Sequence, residues 1–197
     1  MDIVAFTAFA FFISAVPYSL LIGRIGWGVD IRNYGDGNPG ATNLYKATGS
    51  RFWYIVGVLA DALKGAVPVS IAYWGLGWTD WRIVPVAITA VGGHAFSPFL
   101  GFKGGKAVAI TGGVWTALTW FEVPIVFGLM LAYWYKQVRE SDWVVMFTLL
   151  GVLLYLLLTR PTLPMLGVWA GNFAILLYKH RAGLTRLPSL YRFAPKD

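Results

Sequence analysis

The sequence predicts an all-α integral membrane protein, a seven-helix transmembrane bundle with its N-terminus outside and its C-terminus cytoplasmic. A single domain over residues 1–197 is the simplest organisation, because no linker or internal repeat interrupts it. Three observations carry this. Charged residues make up only 13% of the chain, against roughly 25% in soluble domains. Apolar runs of near-spanning length recur from end to end. Lys and Arg also fall almost entirely on one side once those runs are threaded back and forth.

A helix needs roughly 17 to 25 apolar residues to cross a bilayer. The runs lie near 3–23, 53–76, 83–100, 107–121, 123–136, 143–159 and 162–179. The first has no basic residue ahead of it and is followed by Arg24 rather than a small-residue cleavage site. It therefore reads as a retained helix, not a signal peptide. The fourth and fifth are short, with only Glu122 and Pro124 between them, and fusing them gives the alternative count of six.

Short cytoplasmic loops are enriched in Lys and Arg. With seven spans, Arg24, Arg32, Lys46, Arg51, Lys103, Lys106, Lys136, Arg139, Lys179, Arg181, Arg186, Arg192 and Lys196 share one side. Arg82 and Arg160 face the other, and Lys64 lies inside a helix. The net charge of +7 thus reflects topology and contact with anionic lipid, not nucleic acid. The absence of Cys excludes disulfides, thiolate metal sites and cysteine nucleophiles. No His, Asp or Glu spacing suggests a metal, and no cofactor is expected.

The polar residues gather in a few segments. Between the first two runs lies Gly28-Val-Asp-Ile-Arg32-Asn-Tyr-Gly35-Asp-Gly-Asn-Pro-Gly40-Ala-Thr-Asn-Leu-Tyr-Lys46. Gly35, Gly37 and Gly40 free the backbone for left-handed conformations, so that successive amides can converge on an anion. Thr42 and Asn43 add side-chain donors, and Arg32 and Lys46 add positive charge. A plain turn between helices is the alternative for such a cluster. On the same side, His94-Ala-Phe-Ser-Pro98-Phe-Leu-Gly-Phe-Lys103-Gly-Gly-Lys106 places two lysines around two glycines. That pattern also suits a phosphate. The tail adds Lys179-His180-Arg181 and Arg186, and the chain's two histidines both fall on this side. Within the second run, Asp61 and Lys64 are three apart on one helical face. Ionisable groups at membrane depth normally pair and face the bundle interior.

Together these segments resemble the PlsY family, the membrane acyl-phosphate:glycerol-3-phosphate acyltransferases of bacterial phospholipid synthesis. Pro17, Gly28, Asp30, Arg32, Gly35, Gly37, Asn38, Gly40, Ala41, Thr42, Asn43 and Lys46 match the family's first motif. Asp61, Lys64 and Gly65 match its Asp-x-x-Lys-Gly. Gly93, His94, Phe102, Lys103, Gly104, Gly105 and Lys106 match the next segments, and His180, Arg181, Arg186 and Leu187 the last. Asp36 departs from the family's Ser, Ala107 from its Gly, and Gly183 from its Asn.

The resemblance implies a multi-pass protein of the bacterial cell membrane with its active site facing the cytoplasm. Its partners would be acyl phosphate, glycerol 3-phosphate and membrane lipids. It implies that the first-loop nest of Gly35, Asp36, Gly37, Asn38, Gly40, Ala41 and Thr42 holds the donor phosphate. Lys46, Lys103 and Lys106 would hold the phosphate of glycerol 3-phosphate, and Arg32, Gly104 and Gly105 count as further substrate-binding residues. His180 and Asn43 would orient the reacting groups, with Lys106 as the third catalytic residue and His94 shaping the cavity. In such a family a phosphate takes the acceptor's proton, so no side chain need act as base. An acyltransferase with another donor or acceptor, and a paralogue that binds phosphate ligands without turnover, are the competing readings. A transporter would call for internal repeats and a midplane site, and the polar segments here sit at one interface.

Overall fold

Helices account for nearly all regular structure in the computed structural model, which describes residues 2–191. Arg192 and Lys196, counted above as cytoplasmic charge, lie outside the described residues. All seven apolar runs are helical. Four helical segments are long and apolar enough to cross a bilayer: Ile3–Trp27, Arg51–Gly75, Ile83–Leu100 and Ser141–Thr159.

The first run is not one continuous helix. Pro17 has no N–H to donate, so the segment divides into α1 (Ile3–Ala15) and α2 (Tyr18–Trp27). Asp2 caps α1 by accepting from the Val4 amide at 3.0 Å. Gly28 ends α2 in the left-handed conformation, φ 65°, which a residue without Cβ adopts freely. The end of the first loop, expected as coil, is helical as α3 (Ala41–Thr48).

Ser50 caps α4 (Arg51–Ser70) through the Trp53 amide, and Pro68 sits inside this helix. The turn that follows, Ile71–Gly75, widens to a π-helix, a common way to absorb a broken hydrogen-bond ladder. Next come α5 (Ile83–Ala95), α6 (Val108–Thr119), α7 (Glu122–Tyr135), α8 (Ser141–Thr159) and α9 (Leu163–His180). At 12 and 14 residues, α6 and α7 fall short of the roughly 20 needed to span.

The bundle packs α1 on α5, α4 on α6, α7 on α8 and α9 on α5, with α3 lying across α4. Trp115, Ile83, Ile110, Leu118, Leu149, Leu156 and Leu176 are fully buried among the helices. Two crossings depend on glycine. A Cβ on Gly93 would strike the Phe11 carbonyl, and one on Gly113 the Ala62 carbonyl. Small residues permit such close backbone approach in membrane helices.

The break at Pro17 leaves carbonyls of α1 without helical partners, and in a bilayer no water can serve them. Two buried side chains do so instead. Ser97 donates to the Ala15 carbonyl at 2.6 Å, and Lys64 donates to the Val16 carbonyl at 2.7 Å. The Lys64 ammonium also pairs with Asp61 at 2.9 Å, and Ser19 of α2 donates to the other Asp61 oxygen at 2.9 Å. Ser14 donates to the Lys64 carbonyl at 2.9 Å. The Asp61–Lys64 pair therefore pins α2, and with it the start of the first loop, against α4.

Lys64→Ala removes one member of a buried pair and one of the two donors on the Val16 carbonyl, which keeps only the Tyr18 amide, so it should cost about 3–5 kcal/mol. Thermal unfolding in detergent should show a lowered midpoint. Asp61→Ala combined with Lys64→Ala should recover part of that loss; no recovery would show that the carbonyl, not the charge pair, carries the effect.

Candidate functional site

The first loop forms a compact cradle ahead of α3. Gly35 and Gly37 take left-handed conformations, φ 60° and 73°. Gly40 does not; it is the extended N-cap of α3, with φ −108°. The amides of Ala41 and Thr42 open α3, where the helix dipole favours negative charge. Asn43 is buried, and its amide nitrogen ties the loop by donating to Asp36 Oδ1 and to the Asn38 carbonyl, each at 2.9 Å. The Asn38 amide donates to Asp36 Oδ1 at 3.2 Å. Asn43 Oδ1 is buried without a hydrogen-bond partner. Lys46, one turn on, lies so near Gly35 that a Cβ there would sit 2.8 Å from its Nζ. Thr42 is exposed and lines, with Tyr45, Arg51, Tyr54 and Ile55, a mainly apolar cavity of about 500 Å³.

The Phe102–Lys106 turn packs on the end of α5. The Gly105 amide donates to the His94 carbonyl at 3.0 Å. A Cβ on Gly104 would meet that carbonyl, and one on Gly105 would meet the His94 ring. Both glycines are therefore there for close approach, not for flexibility. Lys179 reaches back from α9 to the carbonyls of Ala95 and Gly104, at 3.0 and 2.9 Å. Ala107 follows with φ 65°, a conformation that glycine would adopt without strain.

Lys106 joins these segments. Its ammonium lies 3.1 Å from Asp36 Oδ2 in the first loop and 3.2 Å from Asp142 Oδ1 at the start of α8. The same Asp142 oxygen is 2.5 Å from His180 Nδ1 at the end of α9. Four segments distant in sequence thus meet through one hydrogen-bonded line. Partial burial alone would raise the Asp36 carboxyl, but Lys106, the Asn38 amide and the Asn43 side chain outweigh it and hold it below the usual range. Burial opposes the Lys106 charge, and Asp36 and Asp142 more than offset that, raising it. Asp36 and Lys106 are therefore both charged at neutral pH. Because the folded carboxyl titrates lower than an unfolded one, the pair contributes above about pH 4 and fades only below that.

Asp142 is held from behind as well. The tail runs along the α7–α8 turn: Ser189 donates to Glu140 through its amide at 2.8 Å and its hydroxyl at 2.6 Å. Trp143 Nε1 donates to the Arg186 carbonyl at 2.7 Å. This brings Gly183 so close to Asp142 that a Cβ there would overlap the carboxylate.

Among the expected site residues, Asp36, Asn38, Asn43, Lys46, Lys106 and His180 converge with Gly35, Gly37, Gly40, Ala41 and Thr42. Arg32 does not join them. Its guanidinium donates to Asp30 at 2.6 and 2.9 Å, and Arg24 donates to the same carboxylate at 2.7 Å. These two arginines, Arg32 foremost, hold the Asp30 carboxyl well below the usual range. Lys103 is exposed, and its side chain has no ion pair among the described residues. His94 is buried, 3.7 Å from Asp61, and serves as the post on which Gly105 rests. Asp142 and Gly183 complete the arrangement. Sequence reasoning assigned Asp142 no role, because its partners Lys106 and His180 lie far from it in the sequence.

Comparison with known proteins places this geometry. The family model described as glycerol-3-phosphate acyltransferase matches residues 4–189. Glycerol-3-phosphate acyltransferase 1 of Thermotoga maritima is 36% identical over 192 residues, covering 89% of this chain and 93% of the relative. A glycerol-3-phosphate acyltransferase of Trichlorobacter lovleyi is 37% identical over 185 residues, covering 90% of each. Two crystal structures of PlsY (YgiH), an integral membrane glycerol 3-phosphate acyltransferase, superpose with a TM-score of 0.83. One is the glycerol 3-phosphate form, 28% identical, and one the lysophosphatidic acid form, 27% identical. Each covers 93% of this chain and 90% of the other.

Gly105→Ala should drive its methyl group into the His94 ring and lift the Lys106 turn. Overpacking of this kind costs about 1–3 kcal/mol, so the unfolding midpoint should fall. An unchanged midpoint would mean that the turn yields freely and does not fix Lys106.

Proposed function

The chain belongs to the glycerol-3-phosphate acyltransferase family, and from that membership we propose that it moves a fatty acyl group from acyl phosphate to the 1-hydroxyl of glycerol 3-phosphate, giving lysophosphatidic acid. The observation that carries this is the Lys106 ammonium, within 3.2 Å of carboxylates from both the first loop and α8. It brings together the first loop and the Lys103–Lys106 turn, the two segments whose glycines and lysines suit a phosphate.

The acyl phosphate is already activated, so catalysis can rest on positioning and charge. The left-handed cradle at Gly35 and Gly37 and the open amides of α3 take the donor phosphate. Lys106, with Lys46 at the cradle's edge and Lys103 nearby in sequence, takes the phosphate of the acceptor. Asn43, whose Oδ1 is buried and unpartnered, orients the reacting groups with His180. The acceptor oxygen attacks the acyl carbon, the carbon–oxygen bond to phosphate breaks, and the proton leaves with the phosphate. Gly104, Gly105 and His94 fix the Lys106 turn.

The finer topology is part of the same proposal: seven spans, N-terminus outside, and a site facing the cytoplasm of a bacterial cell. Eleven of the fourteen Lys and Arg residues among the described residues fall on the site's side of that arrangement, as short cytoplasmic loops require. Asp36 favours one second reading. A carboxylate in the cradle, bound to the very lysine that would meet phosphate, suits a protein that binds these ligands without turning them over.

Purified protein supplied with acyl phosphate and glycerol 3-phosphate should release lysophosphatidic acid and inorganic phosphate. Transfer from acyl-CoA or acyl carrier protein instead would overturn the donor assignment, and tight binding without product would establish the second reading. Replacing Lys106 by Ala should raise KM for glycerol 3-phosphate by about 10-fold or more, the scale of a lost charge-assisted hydrogen bond. An unchanged KM would remove Lys106 from the acceptor's site. Asp36→Ser should keep or increase the rate if the carboxylate is only tolerated.

A further inference from the structure

Asp142 is the one carboxylate among the described residues that joins Lys106 to His180, and the family resemblance gave it no role. One oxygen, Oδ1, meets both His180 Nδ1 at 2.5 Å and Lys106 Nζ at 3.2 Å. A carboxylate can only accept hydrogen bonds, so Nδ1 carries the hydrogen and the ring is held in one orientation. The carboxylate has room because residue 183 is glycine: any Cβ there would overlap Asp142 Oδ2 and its carboxyl carbon. Gly183 itself has an ordinary right-handed or extended backbone, since it is not among the positive-φ residues. The tail is fastened to the α7–α8 turn by the Ser189–Glu140 and Trp143–Arg186 hydrogen bonds, so Gly183 cannot easily withdraw. His180 and Lys106 come from different helix ends, and no other side chain among the described residues bonds to both.

We propose that Asp142 is the positioning residue of this site, aiming Lys106 and His180 at the acceptor, in the space that glycine at 183 leaves open. The inference rests on the acyl-transfer reading and adds two residues to it. It also gives the departure at position 183 a physical partner. Where the resembling family carries Asn, this chain has no side chain, and the carboxylate of Asp142 fills that volume. Asp142 touches neither reacting atom; it acts through the two groups that it holds.

The test uses full-length protein carrying Asp142→Ala, Gly183→Ala or both. The first removes the carboxylate. The second leaves it present but pushes it aside with a methyl group. Each single change should lower kcat/KM for glycerol 3-phosphate by about 10- to 100-fold, the penalty of ångström-scale misplacement. KM for acyl phosphate should move little, because the first-loop cradle is untouched. If Gly183→Ala acts by displacing Asp142, the double variant should be no worse than Asp142→Ala alone.

Nitrogen-15 NMR of the histidines gives a readout that general destabilisation would not move, and only His94 and His180 need be assigned. Wild-type His180 should show a protonated Nδ1, and both single variants should move that proton towards Nε2. Full additivity of the two changes, an unaltered ring signal, or equal loss for both substrates would each overturn the proposal. If wild-type protein forms no product, the transfer reading fails by itself. The affinity for glycerol 3-phosphate in the same variants then replaces KM as the deciding measurement.

Discussion

The site depends on one ammonium group shared between two carboxylates. Lys106 lies 3.1 Å from Asp36 and 3.2 Å from Asp142, and these contacts are what join the first loop to the far half of the bundle. The residues involved come from the α2–α3 connection, the α5–α6 turn, the start of α8 and the end of α9. Each of those elements is set by apolar packing deeper in the bundle. Packing alone would bring the helix ends near one another without fixing how their loops face. The charge at Lys106 supplies that last degree of order, and it does so at the water-facing end, where exposed ion pairs are ordinarily weak. Partial burial and a second carboxylate make this one stronger than more exposed pairs elsewhere in the molecule, such as Arg82 with Asp80.

A second lysine, Lys64, solves a different problem further in. The bilayer offers no water to a broken helix, yet the chain breaks its first helix at Pro17. Lys64 and Ser97 close the gap by donating to the Val16 and Ala15 carbonyls. The Asp61 carboxylate balances the charge and binds Ser19, so both sides of the break are gripped by α4. The break therefore has a use. It ends α1 and restarts the chain as α2, which runs through Gly28 into the first loop. The sequence marks this arrangement with only two features, a proline in an apolar run and an Asp-x-x-Lys on the next helix.

Much of the fold was legible in advance because bilayer physics leaves few options. Long apolar runs became helices at nearly the expected boundaries, from the run at 162–179, observed as Leu163–His180, to that at 143–159. What was not legible depended on the third dimension. The helical turn of Ala41–Thr48 hid behind Gly and Asn residues that read as coil. Arg32 looked like a phosphate ligand by composition, but Asp30 two residues earlier binds it more closely than any pocket does. Gly104 and Gly105 suggested flexibility and proved to be contacts with His94. Asp142 gave no spacing signal at all, because its partners stand 36 and 38 residues away.

The two carboxylates on Lys106 are not equivalent, and the difference bears on how a phosphate would enter. The Asp36 side chain is 50% exposed, and its other oxygen is bonded to the Asn38 amide and the Asn43 side chain. The Asp142 side chain is 16% exposed, bound to His180 and boxed in by Gly183. Displacing a half-exposed carboxylate costs little, since water replaces the lost contact. Displacing the enclosed one would strand a buried charge. On the proposed reading, an arriving phosphate would exchange with Asp36 and leave the Asp142 contact in place. On this account Lys106 keeps its position while its outer partner changes from a side chain to a ligand. The carboxylate that looked least compatible with phosphate would then be the one holding the lysine's outward side until a ligand takes its place.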